Sequence, residues 1–253
     1  MATIIAISNQ KGGVGKTTTT ANLGSALFNL GQRVLMIDMD PQGNLSSAVG
    51  VNGQAEGSVA ESLLDRTVAL PIHRVVERME AVLDVVPANI NLAATEAALM
   101  NKLGRELRLR DQLVAFSNDY DFILIDTPPS LGLLTINSLV AADKVIIPTE
   151  ARLFSLQGLQ MLQESIEEIL YLNPKLQVLG ILLSKLDRRL KEERLVSGYL
   201  RDRWGAQVFQ TEVGTNSKIL EAASSGASVF NYSGAEKAAD NYLALAREVI
   251  RRG

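Results

Sequence analysis

Residues 4–18, with the sequence IIAISNQKGGVGKTT, decide the fold of this chain. The run begins with apolar residues typical of a strand, continues through a loop with three glycines, and ends in residues that favour the start of a helix. Glycine lets backbone N–H groups converge on an anion without a Cβ atom in the way, and a helix N-terminus adds the positive end of its dipole. The segment therefore predicts a phosphate-binding loop. We expect phosphate contacts from Gly12, Gly13, Val14, Gly15, Lys16, Thr17 and Thr18.

Two side chains of this loop carry the predicted chemistry. Lys16 is placed to neutralise the β- and γ-phosphates of a nucleotide, and the Thr17 hydroxyl to ligate Mg²⁺. The loop departs from the ordinary pattern at Gln10, where a glycine is usual, and it contains a second lysine, Lys11.

The two lysines at this spacing resemble the deviant Walker A loop of the ParA/MinD family of ATPases. The resemblance implies ATP and Mg²⁺ as cofactors and a homodimer with the nucleotides at its interface. It also implies that Lys11 is catalytic together with Lys16, because in this family the extra lysine reaches across the interface to the partner's nucleotide.

Two further apolar runs end in carboxylates, at residues 34–44 (VLMIDMDPQGN) and 122–130 (FILIDTPPS). Ligands of open parallel sheets bind at the carboxyl ends of the strands, so these acids are expected near the nucleotide. By resemblance, Asp40 would position the attacking water and Asp38 would assist near the metal. Asp126 would hold Mg²⁺ through water, since magnesium keeps much of its hydration. Residues 127–131 would form a switch that senses the γ-phosphate.

The order of apolar and helix-like segments predicts an α/β fold. Apolar runs recur near residues 4–8, 34–38, 83–86, 122–126, 145–148 and 178–183, and helices are expected between them, at 17–30, 91–116, 132–141 and 155–172. Such alternation indicates right-handed βαβ units and a mainly parallel, twisted sheet flanked by helices. At 253 residues, 47% of them hydrophobic, we expect one P-loop NTPase domain over residues 1–253, without an N-terminal helix-turn-helix domain.

Composition excludes several classes of protein. The chain has no cysteine, which rules out the cluster-binding relatives of this family, because their iron–sulfur clusters are held by thiolates. The sequence contains no signal peptide and no apolar run of eighteen residues, so we expect a cytoplasmic protein. The single histidine, His73, lies in a helix-like stretch away from every motif and is expected at the surface.

A net charge of −3 means that any nucleic-acid binding would need a local basic patch. Residues 185–203 contain seven basic and four acidic residues, an excess of three positive charges. The resemblance implies non-specific binding to the DNA backbone through Arg188, Arg189 and Lys218, and Arg247 joins this set as a C-terminal cation. Many relatives have proline and arginine where this chain has Gly214 and Thr215, so the adenine and DNA contacts there depart from the family pattern.

These features favour a nucleoid-associated partition or positioning ATPase that works with a ParB-like or adaptor partner. A MinD-like membrane-associated ATPase is the alternative. The C-terminal stripe of Tyr242, Leu245, Ala246, Val249 and Ile250 is instead expected to dock on the domain core, as such stripes usually do. A metabolic enzyme on the same loop, such as an amidoligase, is a further alternative.

Overall fold

The computed structural model describes residues 1–51, 56–79 and 81–253, with all of their side chains except those of Glu77 and residues 153–159. Eight strands form one sheet in the order β3-β4-β2-β5-β1-β6-β7-β8. All paired strands are parallel except β3, which runs antiparallel to β4 at one edge. The strands are β1 (Thr3–Ile7), β2 (Val34–Asp38), β3 (His73–Arg78), β4 (Ala81–Val86), β5 (Phe122–Asp126), β6 (Lys144–Thr149), β7 (Gln177–Leu186) and β8 (Val208–Gly214).

Helices cover both faces of this sheet. They are α1 (Lys16–Asn29), α2 (Asn44–Ala48), α3 (Val59–Leu64), α4 (Asn91–Leu99), α5 (Arg108–Leu113), α6 (Leu133–Ala141), α7 (Leu153–Ile169), α8 (Lys191–Trp204), α9 (Ser217–Ser224) and α10 (Glu236–Arg252). Strand residues alternate between the two layers: Val34 and Met36 pack with α1, α9 and α10, while Leu35 and Ile37 pack with α3 to α6. The mainly parallel α/β sheet expected from the sequence is confirmed.

The structure corrects two sequence expectations. The helix expected over residues 91–116 is broken into α4 and α5, because Gly104 adopts a left-handed φ of 63° between them. The side chain of Asn137 fixes the new direction: its Oδ1 accepts from the Leu109 amide at 3.2 Å, and its Nδ2 donates to the carbonyl oxygen of Arg105 at 2.8 Å. His73 lies in edge strand β3 and not in a helix.

Helix α10 is docked on the core as expected. Tyr242, Leu245, Ala246 and Val249 are all buried, whereas Ile250, also predicted on that face, is 40% exposed. The apolar face that a lipid-inserting helix would need is thus occupied by the domain itself. Among the residues that the structure describes, no helix combines the length and hydropathy required to cross a membrane.

Candidate nucleotide-binding site

The glycine-rich loop joins the end of β1 to the start of α1. Gly13 and Gly15 have φ values of 75° and 88°, and Gly15 is the N-cap of α1. Residues with a Cβ atom disfavour this conformation, so the two glycines permit the turn. The Ser184 hydroxyl holds the loop from outside by donating to the carbonyl oxygen of Val14 at 2.7 Å. The loop therefore presents the unpaired amides of the first turn of α1, as an anion site requires.

Lys16 is a buried cation at the centre of this loop. Its side-chain Nζ donates to the carbonyl oxygen of Lys11 at 3.3 Å, and the residue is 6% exposed. Burial lowers the pKa of Lys16, and the nearby charges of Asp126 and Asp40 oppose that shift. A buried ammonium group at the centre of the loop can form charge-assisted hydrogen bonds with a phosphate.

Asp38 and Asp126 lie side by side because β2 and β5 pair with these two residues in register. Both are fully buried. Burial raises the pKa of Asp38 to about 6, while hydrogen bonds from Ser46 lower it. Burial also raises the pKa of Asp126, and the charge of Asp38 raises it further. Two buried acids on neighbouring strands repel one another when both are ionised, so a cation placed between them would stabilise the charged pair.

The oxygen atoms around Asp126 fit a magnesium ion. Thr17 Oγ1 donates to Asp126 Oδ2 at 2.7 Å, and Thr20 Oγ1 is 3.3 Å from Asp126 Oδ1. In the described part of the chain, no group of three His, Cys, Asp or Glu side chains is arranged to hold a metal. One hydroxyl, one carboxylate and the oxygens of a phosphate and water suit Mg²⁺, which seldom uses a cage made of protein ligands alone.

Asp38 is held by its own neighbours. Its Oδ2 accepts hydrogen bonds from Ser46 N at 2.9 Å and Ser46 Oγ at 2.7 Å, and its Oδ1 accepts from Asp40 N at 3.1 Å. Since three of its acceptor positions are used within the chain, Asp38 is better suited to supporting a metal site than to binding the ion directly.

Asp40 lies just beyond β2, in the turn that leads to α2. Its Oδ1 accepts from the Gln42 amide at 3.0 Å, and it is 8% exposed. The carboxylate therefore caps this turn, and its charge partly opposes the lowering of the Lys16 pKa that burial causes. Gly43, with a left-handed φ of 63°, completes the turn at the N-cap of α2.

Lys11 has a different surrounding from Lys16, although both belong to the same loop. Its Nζ lies 3.1 Å from Glu150 Oε2, in an ion pair next to the end of β6. Its backbone amide donates to Asn9 Oδ1 at 3.0 Å, which fixes the loop at this residue. The two loop lysines are thus directed to different partners within one chain.

Lys185 is a loop contact that sequence reasoning missed. The residue has a left-handed φ of 54°, which costs a residue with a Cβ atom roughly 1–2 kcal/mol. Its ammonium group donates to the carbonyl oxygen of Gly13. No sequence signal marks it, because neither its backbone angle nor its contact with a residue 172 positions away can be read from the local pattern.

A cleft of about 470 Å³ opens beside this lysine, where β7 and β8 end. Its walls come from the segments after the two strands and from the start of α10. It is lined by Leu186, Asp187, Arg188, Arg189, Glu212, Gly214, Thr215, Asn216, Lys237, Ala238 and Asn241. The cleft and the phosphate loop lie at the same edge of the sheet. Open α/β sheets bind their ligands at this edge, so the cleft is placed to hold the rest of a nucleotide.

Three of the four candidate DNA-binding residues have acidic partners. Arg188 pairs with Glu212 at 2.6 Å and Arg189 with Asp187 at 2.7 Å. Lys218 pairs with Glu221 at 2.7 Å. Arg247 is exposed on α10, and none of the described hydrogen bonds or ion pairs involves it.

The basic groups nevertheless gather around one strand. Glu212 of β8 is shared by Arg188 and Arg201, so two guanidinium groups face one carboxylate and leave one excess positive charge. Arg247 and Arg251 line a groove together with the same glutamate and Glu248. The predicted patch of residues 185–203 thus continues onto α10.

Comparisons with known proteins agree with this geometry. Residues 2–178 match the family model described as an AAA domain. The sporulation initiation inhibitor protein Soj of Bacillus subtilis is 41% identical over 259 residues, covering 100% of both chains. The chromosome partitioning protein ParA of Myxococcus xanthus is 43% identical over 252 residues, covering 98% of this chain and 88% of that protein.

A solved structure is similar over nearly the whole chain. It is that of cobyrinic acid a,c-diamide synthase from Mycobacterium smegmatis with bound ADP and magnesium, at a TM-score of 0.84 and 34% identity. The match covers 99% of this chain and 95% of the other.

Proposed function

This chain belongs to the ParA/MinD family of P-loop ATPases, and from that membership we propose that it is a DNA-tethered positioning ATPase that works as an ATP-dependent homodimer. ATP hydrolysis is its reaction, with ATP and Mg²⁺ as cofactors. Full-length identity of 41–43% to Soj and ParA supports a role in partition or positioning.

Lys16, Thr17 and Asp126 form the phosphate and magnesium site. The Lys16 ammonium group replaces its contact with the Lys11 carbonyl by contacts with the β- and γ-phosphates. Thr17 Oγ1 and the Asp126 carboxylate, 2.7 Å apart, would hold the ion directly or through water, and Asp38 would support them from the neighbouring strand. The ion would supply positive charge that offsets the negative charge of the phosphates.

Asp40 orients the water that attacks the γ-phosphate. Its carboxylate is fixed by the Gln42 amide, which leaves its second oxygen to accept a hydrogen bond from water. Positioning contributes most of the catalysis in phosphoryl transfer, because little covalent chemistry is left to the protein.

The observation that carries the proposal is the different direction of the two loop lysines. Lys16 turns into its own loop, whereas Lys11 lies against Glu150 at the rim. A lysine at the rim can exchange that carboxylate for the phosphates of a second chain. Lys11 then stabilises the transferring phosphoryl group in trans, as an arginine finger does in other NTPases.

DNA binds along the basic surface beside β8, formed by Arg188, Arg189, Lys218 and Arg247. These side chains contact the DNA backbone and do not read base sequence. The dimer joins two such surfaces, and the second surface raises avidity without any new type of contact. A ParB-like or adaptor protein that stimulates hydrolysis would release the dimer from the nucleoid and so move or space its cargo.

The test is fluorescence anisotropy of a random-sequence DNA duplex with ATP, ADP or no nucleotide, at several salt concentrations. We expect the protein to bind the duplex tightly with ATP and not with ADP or without nucleotide. For each tenfold increase in salt concentration, the affinity for DNA should fall by about 0.9 log units per neutralised phosphate. Arg247→Ala should lower this slope by about 1 per chain, or about 2 for a dimer.

Lys175→Ala is the matched control, since Lys175 is an exposed lysine away from this surface. It should leave both the affinity and the slope unchanged. Absence of DNA binding with every nucleotide would overturn the proposal.

The 34% identity to a protein described as a diamide synthase favours a second candidate, an ATP-dependent amide ligase. In that case the phosphate site would activate a carboxylate for attack by ammonia. ATP turnover that depends on cobyrinic acid and an ammonia source would support this candidate, and turnover without either would count against it. Burial of the apolar face of α10 against the domain disfavours membrane association through this helix.

A further inference from the structure

Helix α8 has an outward face that no other described part of the chain covers. On its inner side, Val196 and Leu200 pack in the core with residues of β7 and β8. The outer side presents four exposed residues at spacings of four, three and four, namely Lys191, Leu195, Gly198 and Asp202. Residues spaced in this way share one face of a helix. At the centre of this face, Leu195 is 65% exposed.

Gly198 is a glycine that the fold of the described chain does not require. It lies in the interior of α8 and does not adopt a left-handed φ. A Cβ atom added to it would meet no described atom within 4 Å, apart from the backbone of its own helix. Glycine lowers the stability of a helix interior relative to alanine, and no contact within the chain offsets this loss. The missing side chain leaves room for a group of another molecule.

The outer face of α8 is complementary to itself in charge and in size. In the described part of the chain, neither the Lys191 nor the Asp202 side chain has a hydrogen-bond or ion-pair partner. If a second α8 lies antiparallel on the first with residue 191 facing residue 202, Lys191 of each chain meets Asp202 of the other. The same register sets Leu195 against Gly198, since these residues lie four positions after 191 and four before 202. A large side chain then faces the space above a glycine, twice, about a two-fold axis.

We propose that the outer face of α8 is a docking surface for a second copy of this chain. Leu195 of each copy fills the space above Gly198 of the other, and the ion pairs between Lys191 and Asp202 set the register. One pair of 14-residue helices buries less than the roughly 1,200 Å² of a stable complex, so the contact is transient and forms where copies are concentrated.

This contact goes beyond the proposed function. The outer face of α8 contains no residue of the phosphate loop and none of the four candidate DNA-binding residues. It therefore needs neither nucleotide nor DNA, and it can join one ATP-dependent dimer to the next. An experiment on the nucleotide-free protein tests this contact alone, whatever the outcome for ATP or DNA.

The first test is sedimentation equilibrium of the nucleotide-free protein. We expect self-association with a Kd on the order of 100 µM. Gly198→Gln fills the space that Leu195 needs and should weaken association about tenfold. Because the new side chain points into open space and glutamine favours a helix more than glycine does, the Tm of this variant should not fall. A wild-type chain that stays monomeric at every concentration would overturn the proposal and leave the face to a different protein.

A charge exchange tests the register. Lys191→Asp and Asp202→Lys each replace two ion pairs by two like-charge contacts, and each should weaken association about tenfold. The double variant carries the exchanged pair and should recover the wild-type Kd within about twofold. Lys175→Asp, at an exposed position outside α8, is the control and should change nothing. A double variant as weak as either single variant would contradict the pairing.

The absence of cysteine from the chain allows a direct test by disulfide formation. In a mixture of Lys191→Cys and Asp202→Cys chains, copper phenanthroline should link one chain of each kind. Neither variant alone should form a disulfide, because equivalent residues 191 lie 11 positions, or about 16 Å, apart along the paired helices. A disulfide requires Cα atoms within about 7 Å. Disulfides within either variant alone, or none in the mixture, would overturn the antiparallel contact.

Discussion

Asp38 and Asp40 are two residues apart, and the structure gives them different surroundings. Asp38 is fully buried and accepts three hydrogen bonds within the chain, whereas Asp40 accepts one and lies in a turn. Asp38 is the last residue of β2 and lies within the sheet, whereas Asp40 lies beyond the end of the strand. Asp40 is therefore the acid with an oxygen available for water.

We predict that Asp40→Ala slows ATP hydrolysis by about 10²-fold and leaves ATP affinity within a few-fold of the wild type. The attacking water loses its acceptor, whereas the phosphate contacts of Lys16 remain. Phosphate release in single-turnover experiments measures the first effect and calorimetry the second. Lys16→Ala is the contrast, since it should abolish ATP binding itself. Hydrolysis by Asp40→Ala at the wild-type rate would remove Asp40 from the mechanism.

The two buried acids also predict a pH dependence of stability. Burial raises the pKa of Asp38 to about 6, and burial with the charge of Asp38 raises that of Asp126. From the unfolded value of 3.8 up to about 6, the folded chain keeps a proton that the unfolded chain has released. The free energy of unfolding therefore falls as pH rises through this interval.

We expect the Tm of the nucleotide-free protein to fall by about 4 °C between pH 5 and pH 7. Differential scanning calorimetry measures it, and Asp38→Asn should flatten the decline because the substituted group does not titrate. A Tm that rises over this range in the wild type would contradict the assignment. Mg-ATP should stabilise the protein more at pH 7 than at pH 5, because the metal favours the ionised acids.

Residues in the phosphate loop could be predicted from the sequence, whereas their distant contacts could not. The spacing of Gly13, Gly15 and Lys16 defines local geometry, so the pattern carries the prediction. Glu150, just after β6, and Lys185, in β7, contact the loop from more than 130 residues away in the chain. Only the order of strands in the sheet brings these two residues to the loop.

At the scale of elements, one carboxylate fastens α10 to the outer strand β8. Glu248 accepts hydrogen bonds from the Gln210 and Thr211 amides at 2.9 and 3.0 Å, and it pairs with Arg252 at 2.7 Å. Arg252 continues the connection by donating to the carbonyl oxygens of Leu179 and Val208, both at 3.1 Å. These contacts attach the last helix to strands β7 and β8.

We predict that Glu248→Ala lowers the free energy of unfolding by about 3 kcal/mol, because two backbone donors and one guanidinium group lose their acceptor. Urea denaturation measures this change. Glu167→Ala, at an exposed position on α7, is the control and should change it by less than about 0.5 kcal/mol. Equal stability of the two variants would show that Glu248 does not fasten the helix.

The elements that sequence reasoning missed share a physical cause. Strand β3 reads HRVVER, a short charged run that lacks the continuous apolar pattern of the central strands. It becomes a strand because β4 offers it an antiparallel edge. Strand β8 is likewise an edge element, so its amphipathic sequence did not stand out as a strand. The buried central strands were predicted correctly because each one is apolar on both faces.

At the scale of the whole molecule, the ion pair between Lys11 and Glu150 predicts how the dimer is controlled. We expect Lys11→Ala to keep ATP binding but to lose the ATP-dependent dimer and its turnover. Glu150→Gln keeps Lys11 but weakens the ion pair that binds this lysine to its own chain. Because a partly exposed pair is worth at most about 1 kcal/mol, dimerisation should strengthen by about two- to fivefold.

Multi-angle light scattering with ATP measures both effects, and Glu167→Gln serves as the control. A normal dimer with wild-type turnover in Lys11→Ala would eliminate the role in trans. A weaker dimer in Glu150→Gln would mean that Glu150 belongs to the interface and does not restrain Lys11.

Glu248 also affects how molecules of this protein behave when many of them gather. Unpaired N–H groups on an outer strand are a template to which a strand of another molecule can add, and repeated addition leads to fibres. A protein held at high local concentration is exposed to this hazard more than a dispersed one. With its carboxylate on the Gln210 and Thr211 amides, Glu248 occupies donors that such growth would use. We therefore expect the contact that stabilises one molecule also to hinder strand addition between molecules.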